Sequence, residues 1–424
     1  MKRVAALLST IVLAAACTNA GESTPSTTAQ PTTTTTSPDR GNVDGVLTLG
    51  VLLPMTGPSA SIGAPMVKAV EMAVDEINRA GGIKGRPVRL VEHDEGETPA
   101  TAAAALGEML DAGIDAIIGP ASHRTTVSLL DRLIDDNIAV CLPTSTSIAL
   151  SAFDDRGLLV RTMPSDLLQA RALARAIAAT GRGSVVVFEP DDDYGARFGA
   201  ALRDGLAAQD VTVTTTEAYD PTGEAFDAVV GRAVEQRPEA VAVIGNPDPG
   251  GHLLADLRAE QVLPALVPTF VTDGMRRRDL FESVDPGRPV SVSGISGTAP
   301  AEVPEGSKWF GDAFALFAPG TNLSYAAYAY DCANLLALAS LAAGSDDARQ
   351  LAPFVVPTSR SGLVCRNYPT CSELMLDGRN VDLDGASGLI ELTADGDPTV
   401  GVFDLFTFDS DGRDVVERQI QVSS

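Results

Sequence analysis

Residues 48–95 read TLGVLLPMTGPSASIGAPMVKAVEMAVDEINRAGGIKGRPVRLVEHDE, and this stretch decides the fold. It begins within Val46–Leu53, a nearly continuous apolar run typical of a strand that is covered on both faces. Apolar residues then recur at the spacing of an amphipathic helix: Met66, Ala69, Val70, Ala73, Val74 and Ile77. Gly81-Gly82 ends that helix, and Pro87–His93 is a second strand. The stretch therefore predicts a strand, a helix and a parallel strand.

The same alternation of strand and helix continues through most of the chain. Thr98-Pro99 predicts the start of a second helix, with Pro at its first position. Further strands are predicted over 115–118, 138–142, 184–188, 211–217, 239–244 and 265–271, with helical patterns between them. The last part of the chain alternates apolar and polar residues around Asp395-Gly396 and Asp411-Gly412, which predicts β-hairpins. We therefore predict an α/β protein with two doubly wound lobes.

The N-terminus has the pattern of an export signal. Lys2 and Arg3 precede the 13-residue run Val4–Ala16, which is too short to span a bilayer, since a span needs about 20 residues. The run ends LAAAC, with small residues before Cys17, and this resembles a bacterial lipobox. We predict that residues 1–16 are a signal peptide and that Cys17 carries lipid. An ordinary secretory signal followed by an incidental cysteine is the alternative.

Residues 17–45 are dominated by Thr, Ser and Pro after Cys17 and contain no aromatic residue. Such a segment buries too little apolar surface to offset its ordering entropy, so we predict a disordered tether. Cys332–Ala343 is the longest later apolar run, and its length predicts a buried helix rather than a membrane span.

Composition and motifs exclude several classes of function. The 424 residues carry 31 Lys and Arg against 56 Asp and Glu, a net charge of −25, which excludes binding to nucleic acid. The chain lacks the motifs G-x-S-x-G, H-E-x-x-H, C-x-x-C and GK[ST]. We therefore expect neither an enzyme nor a bound cofactor or metal.

Six motifs together resemble the type I periplasmic binding proteins, in particular the branched-chain amino acid (Leu/Ile/Val)-binding family of ABC transporters. Besides 48–95 they are DAIIGPAS (115–122), PTSTS (143–147), VRTMPSD (160–166), DDDYG (191–195) and AVAVIGNPD (240–248). The resemblance implies two Rossmann-like lobes joined by three crossovers. By this resemblance the first lobe comprises 46–162 plus 298–384, and the second comprises 163–297 plus 385–424.

The resemblance also implies a function. Such proteins bind a small molecule between the lobes by hinge closure and deliver it to an ABC permease that is driven by an ATPase. We expect a monomer on the outer face of the cell membrane, held there by the N-terminal lipid. A ligand-sensing module of the same fold is the alternative, and a hydrolytic enzyme is a remote one.

The expected ligand site lies at the carboxyl ends of the strands. The resemblance places the carboxylate of an amino acid at Thr144 and Thr146, with His123 at the family's serine position and Ser122 one residue before it. It places the ammonium group at Asp273. Ile62 and Asn246 stand where the family has aromatic residues, which indicates a cleft lining different from that of leucine-binding members. Tyr194, at a helix start, completes this set of candidate contacts.

These residues also have structural interpretations. Thr144 and Thr146 are suited to cap the following helix, Asp273 to form a turn, and Tyr194 to be a buried ring. His123 is expected to be a hydrogen-bonding residue at the cleft edge rather than a catalytic base. The acidic runs 93–95 and 191–193 are expected at solvated element ends, and 409–414 in a hairpin turn, rather than at metal sites.

Four cysteines remain after Cys17. Cys141 and Cys332 lie in apolar segments and are predicted to be buried thiols. Cys365 and Cys371 flank a short polar loop in an exported chain and are predicted to form a disulfide.

Overall fold

The computed structural model describes residues 43–424. The predicted signal peptide, Cys17 and nearly all of the predicted tether lie outside the described residues. The described residues contain the two predicted lobes.

The first lobe is built on a five-stranded parallel sheet of order β2-β1-β3-β4-β5. The strands are β1 (Thr48–Leu53), β2 (Arg89–Asp94), β3 (Ala116–Ile118), β4 (Ala139–Leu142) and β5 (Leu159–Arg161). The connecting helices are α1 (Ala60–Arg79), α2 (Pro99–Asp111) and α3 (His123–Asp135). All six residues of β1 are buried, as the continuous apolar run predicted. Thr98 caps α2 by accepting a hydrogen bond from the Thr101 N–H.

The second lobe is built on a seven-stranded mixed sheet of order β15-β14-β10-β9-β8-β6-β7. Its strands are β6 (Ser184–Pro190), β7 (Thr212–Tyr219), β8 (Val241–Val243), β9 (Thr269–Val271), β10 (Ser296–Pro300), β14 (Val400–Phe408) and β15 (Asp414–Ser423). Its helices are α4 (Asp166–Ala178), α5 (Asp193–Ala207), α6 (Asp227–Glu235), α7 (Pro247–Ala259) and α8 (Leu280–Val284). Only the pairings of β14 are antiparallel, because β14 and β15 form the predicted C-terminal hairpin.

The chain returns to the first lobe between β10 and β14. This part comprises helices α9 (Lys308–Phe317), α10 (Ala326–Ala343), α11 (Ala348–Thr358) and α12 (Tyr368–Leu376), and strands β11 (Leu363–Cys365), β12 (Val381–Gly385) and β13 (Gly388–Leu389). Among the described residues, α10 is the one helix long and apolar enough to cross a membrane, and 83% of it is buried inside the protein. It packs against α1 and α11, so it is the predicted buried helix.

Three crossovers join the lobes: the segment after β5, the segment after β10, and the segment before β14. The first and third are tied by Arg161, whose Nε donates to Asp397 at 2.6 Å. The first and second are tied through α10, since Thr162 donates to the Tyr328 carbonyl and the Tyr328 hydroxyl donates to the Ala301 carbonyl, each at 2.9 Å.

The expected lobe boundaries are displaced by a few residues. Strand β10 pairs with β9 and β14 of the second lobe, so the second crossover follows Pro300 instead of beginning at 298. Ile390 and Leu392 are buried in the core of the first lobe, so the third crossover comes after them and not at 385.

The expectation that Cys141 and Cys332 are free thiols is wrong. They form a disulfide with a Cα–Cα distance of 5.6 Å that links β4 to α10. The two residues are 191 positions apart, and only the packing of α10 on the sheet brings them together. Cys365 and Cys371 also form a disulfide, the pairing expected from their spacing.

Candidate functional site

A cavity of about 520 Å³ lies between the lobes. Two residues from the expected set, Ile62 and Asp273, contribute to its wall. The other lining residues are Arg276, Arg278, Ala299, Pro300, Glu302, Asn322, Ser324, Tyr325, Tyr328 and Asp414. This volume is in the range of small-molecule sites, and the wall combines a few apolar residues with several charged ones.

The turn after β4 presents free donors on the side of the first lobe. The Thr144 hydroxyl donates to the Ala121 carbonyl at 2.8 Å, which fixes the turn against the neighbouring loop. Within residues 43–424 the backbone N–H groups of Thr144, Ser145 and Thr146 donate to no protein atom. Ser147, and neither threonine, caps the short helix that follows. Three adjacent free N–H groups are suited to a carboxylate.

The loop before α3 uses two of its backbone N–H groups within the first lobe. Ala121 and Ser122 donate their N–H groups to the carboxylate of Glu95, at 2.7 and 3.0 Å, and Glu95 is only 1% exposed. These two donors are therefore occupied. The Ser122 side chain makes no capping hydrogen bond, so its hydroxyl remains a candidate ligand contact.

His123 is the first residue of α3, at the edge of the first lobe. Partial burial of the imidazole lowers the pKa of His123, and the negative charge of Asp193 in the second lobe opposes this. The two side chains therefore lie close enough across the lobes to interact. Asp193 is also paired with Arg197, at 2.8 Å.

A pair of acids stands on the side of the second lobe. Asp166, the first residue of α4, is 4% exposed. Burial raises the pKa of Asp166 to about 7, helped by the charge of Asp273 and opposed by a hydrogen bond from Thr146 and by Arg161. Burial likewise raises the pKa of Asp273. Both carboxylates lack a cationic hydrogen-bond partner among the described residues, which makes the pair suited to a positively charged group.

Gln169 fixes the position of Asp273 by a hydrogen bond. Its Nε2 donates to Asp273 Oδ1 and to the Thr298 carbonyl, both at 2.9 Å, and Gln169 is completely buried. Sequence reasoning missed Asp166 and Gln169, although the motif at 160–166 ends on Asp166. Its burial at the start of a helix, where Asp is common as a solvated residue, was not readable from the sequence.

Tyr194 and Asn246 border the same region. Burial raises the pKa of the half-buried Tyr194, the charges of Asp166 and Asp273 raise it further, and a hydrogen bond with Thr272 lowers it. The ring of Tyr194 therefore lies beside the acid pair. Asn246 is exposed at the start of α7, and its side chain lies next to Gly274.

The outer end of the cavity is formed by Arg276, Arg278, Glu302 and Tyr325. Arg276 donates to Asp414 at 2.8 Å and to Asp404 at 3.0 Å, and its guanidinium lies 5.2 Å from the centroid of the Phe406 ring. The sequence analysis identified none of the four, because they come from three separate segments that only the fold brings together.

Acidic side chains of these runs accept hydrogen bonds from backbone N–H groups. Asp94 accepts hydrogen bonds from the N–H groups of Met55 and Gly96, at 2.8 and 3.0 Å. Asp409 accepts from the N–H groups of Asp411 and Arg413 in the hairpin turn. Throughout the part of the chain that the structure describes, no group of three or more His, Cys, Asp or Glu residues is arranged to hold a metal ion.

Two α/β lobes, three crossovers and a polar cavity at the carboxyl ends of both sheets define a class: the two-lobed solute-binding proteins of the type I periplasmic fold. A family model described as "Periplasmic binding protein" matches residues 46–361, more than half of the chain. The chain belongs to the periplasmic binding protein family, a family of solute-binding proteins.

Two relatives are similar in sequence to different shares of the chain. The Leu/Ile/Val-binding protein BraC3 of Rhizobium johnstonii is 29% identical over 212 residues, which are 49% of this chain and 57% of the relative. The chain therefore matches little more than half the length of that protein. The chemotactic signal transduction system substrate-binding protein BasB of Halobacterium salinarum is 25% identical over 84% of this chain and 85% of the relative.

Solved structures agree on the fold. LivJ of Streptococcus pneumoniae, a branched-chain amino acid transporter substrate-binding protein in complex with isoleucine, is 20% identical with a TM-score of 0.67. The match covers 89% of this chain and 100% of that one. A solute-binding protein of R. palustris in complex with benzoate is 16% identical with a TM-score of 0.64, covering 89% and 98%. The same fold thus holds ligands with and without an amino group.

Proposed function

We propose that this protein binds an α-amino acid between its lobes and delivers it to an ABC importer. The observation that carries the proposal is the separation of charge across the cleft. The free N–H groups of Thr144–Thr146 belong to the first lobe, and the acid pair Asp166 and Asp273 belongs to the second.

A zwitterion satisfies both sides at once. Its carboxylate accepts hydrogen bonds from the 144–146 turn, and its ammonium group neutralises two carboxylates that repel each other in the free protein. Thr146 already hydrogen-bonds to Asp166 in the structure, so we expect closure of the lobes to bring Asp273 onto a ligand that the turn holds. Ligand binding then shifts the protein toward a closed form, which the permease recognises.

The test is a thermal-shift screen of the full-length chain with matched sets of compounds. Each set contains an L-amino acid, the amine that lacks its carboxylate and the acid that lacks its ammonium group. A ligand that binds only the folded state raises the melting temperature by mass action. We expect a shift with at least one amino acid and none with its two partial analogues. An equal shift with the carboxylic acid alone would contradict the ammonium site.

Asp273→Asn isolates the charge, because the amide oxygen keeps the hydrogen bond from Gln169. We expect the affinity for the amino acid to fall at least about 30-fold in calorimetric titration, since removing one partner of a buried charge pair costs 2 kcal/mol or more. Asp279→Asn is the matched control, because Asp279 is exposed and pairs with Arg277. Unchanged binding by Asp273→Asn would refute the assignment.

We propose further that lipid on Cys17 holds the protein at the outer face of the cell membrane, as the sequence before Cys17 supports. Metabolic labelling with a fatty acid tests this, and Cys17→Ala should abolish the label and release the protein. A label that persists in Cys17→Ala would contradict the anchor.

A sensing role is the second candidate. The similarity to BasB spans most of both chains, and BasB is named as part of a chemotactic signalling system. The ligand chemistry is the same in both roles. Co-purification of the ligand-loaded protein with a permease supports transport, and co-purification with a membrane receptor supports sensing.

A further inference from the structure

At the outer end of the cavity, some hydrogen-bond donors and an acceptor have no partner among the described residues. Arg276 engages Asp414 and Asp404 through Nε and Nη1, while its Nη2 donates to no protein atom within residues 43–424. Arg278 lines the same cavity and forms neither a hydrogen bond nor an ion pair with any described residue. Two guanidinium groups are therefore available to an oxygen atom of a ligand.

Glu302 supplies the acceptor. Its Oε1 accepts a hydrogen bond of 3.4 Å from the Ser324 hydroxyl, while its Oε2 has no partner in the described chain. Asn322, on the same wall, donates to the Ser61 carbonyl at 3.2 Å and accepts from the Ser324 N–H at 3.0 Å. The charged groups with unused hydrogen-bonding capacity at this end thus include guanidinium donors and a carboxylate acceptor.

Tyr325 connects this end to the acid pair. Burial raises the pKa of Tyr325, the charges of Asp273 and Glu302 raise it further, and the charge of Arg276 lowers it. The phenol therefore lies within electrostatic reach of all three groups. Tyr325 has φ of 55°, a left-handed conformation that is costly for a bulky residue, and it directly precedes α10. A ring held at this cost in the cavity wall is typical of a residue with a role in the site.

The charges at the outer end favour a neutral partner. Arg276 and Arg278 line the cavity together with Glu302 and Asp414, and Arg276 is paired with Asp404 and Asp414, so neither a second carboxylate nor a second ammonium group on the ligand gains a net opposite charge there. An aliphatic side chain leaves the donors and the acceptor unpaired, which costs binding free energy for each group that it shields from water. A carboxamide is neutral and offers one oxygen acceptor together with an N–H₂ donor.

We propose that the ligand is an α-amino acid whose side chain ends in a carboxamide, with its oxygen on Arg276 and Arg278 and its N–H₂ on Glu302. The proposal rests on the proposed function, because the acid pair and the 144–146 turn position the other end of the molecule. It assigns ligand selection to Arg278 and Glu302, which the sequence did not single out.

The test is calorimetric titration of the full-length chain with L-glutamine, L-asparagine, L-glutamate, L-lysine and L-leucine. We expect one of the two amides to bind at least about tenfold more tightly than the other three, since hydrogen bonds to charged groups contribute about 1.5 kcal/mol or more each. Leucine, glutamate or lysine binding as tightly as the better amide overturns this inference and leaves the proposed function standing. Binding of none of the five overturns this inference, and the absence of a shift with every amino acid in the thermal-shift screen overturns the proposed function.

Two variants identify the groups responsible. Glu302→Gln removes the charge that repels glutamate, so we expect the preference for glutamine over glutamate to shrink at least about tenfold, while Arg278→Ala weakens amide binding by a similar factor. The matched controls are Glu305→Gln and Arg277→Ala, neighbours that do not line the cavity. Equal effects of Glu302→Gln and Glu305→Gln, or of the two arginine variants, would overturn the assignment.

Discussion

In the proposed site, the single residue Asp166 should make ligand binding depend on pH. Its pKa in the free protein is raised to about 7 by burial, whereas the ordinary value is 3.8. Below pH 7 the folded, empty protein therefore keeps Asp166 protonated, and an ammonium ligand must displace that proton. Binding strengthens as the pH rises through 7 and levels off above it.

We expect the dissociation constant to be at least about tenfold larger at pH 5.5 than at pH 8, because only the ionised fraction is competent to bind. Calorimetry across this range with the best amino acid measures it. Asp166→Asn should bind weakly with a flat profile. His123→Gln is the control, since the ordinary pKa of a histidine, 6.5, lies within this range and burial lowers the pKa of His123 from it. A slope that vanishes in His123→Gln and persists in Asp166→Asn would transfer the effect to His123.

Part of the proposed site could be predicted from the sequence for a physical reason. Thr144, Thr146 and Asp273 follow strands, and the carboxyl ends of parallel strands converge, so their positions were readable once the strands were placed. The sequence could not show which hydrogen-bond donors already have a partner. Ser122 was a candidate for the ligand carboxylate, but its backbone N–H donates to Glu95, which follows β2. That contact depends on the order of strands in the sheet.

Among the helices and strands, the apolar periodicity predicted where a helix lies better than it predicted the residue at which the helix begins. The pattern placed the first helix from Met66, yet α1 begins at Ala60 and contains Pro65. Gly63 explains the difference: a Cβ there would lie 1.7 Å from the Pro54 carbonyl oxygen, so the first turn packs directly on the loop that leaves β1. That contact is tertiary and leaves no mark in the apolar spacing.

The Cys141–Cys332 disulfide, which links β4 to α10, should stabilise the protein more than the Cys365–Cys371 disulfide does. The Cys141–Cys332 disulfide closes a loop of 191 residues, whereas Cys365–Cys371 closes one of 6. By the loss of chain entropy in the unfolded state, the first contributes about 5 kcal/mol and the second about 2 kcal/mol.

Urea unfolding of Cys141→Ser/Cys332→Ser and of Cys365→Ser/Cys371→Ser measures this difference. We expect the first pair to lose roughly twice as much free energy of unfolding as the second. The second pair is the control for removing two cysteines. Counting thiols in the unreduced wild-type protein checks the pairing directly, and four reactive thiols would show that neither bond forms.

At the scale of the whole molecule, assignment of the C-terminal strands to the second lobe depended on family resemblance. Composition and periodicity gave two successive α/β units, but they do not reveal that β14 and β15 return to the sheet of β6–β10. Because β14 and β15 belong to this sheet, the chain passes between the lobes a third time, and Asp397 in this third crossover accepts a hydrogen bond from Arg161 at the end of β5. Arg161 is 2% exposed, so this buried ion pair ties the end of β5 to the third crossover.

The proposed function requires that the lobes close on a ligand. A ligand that bridges the 144–146 turn and the acid pair favours the conformation in which both lobes are in contact with it, by as much as its affinities for the two conformations differ. We therefore expect solution scattering to give a smaller radius of gyration when the protein is saturated with its amino acid. Asp273→Asn at the same ligand concentration should retain the larger value, whereas Asp279→Asn should close like the wild type. Equal radii with and without ligand, in a sample that calorimetry shows to be saturated, would mean that the cleft binds without closing.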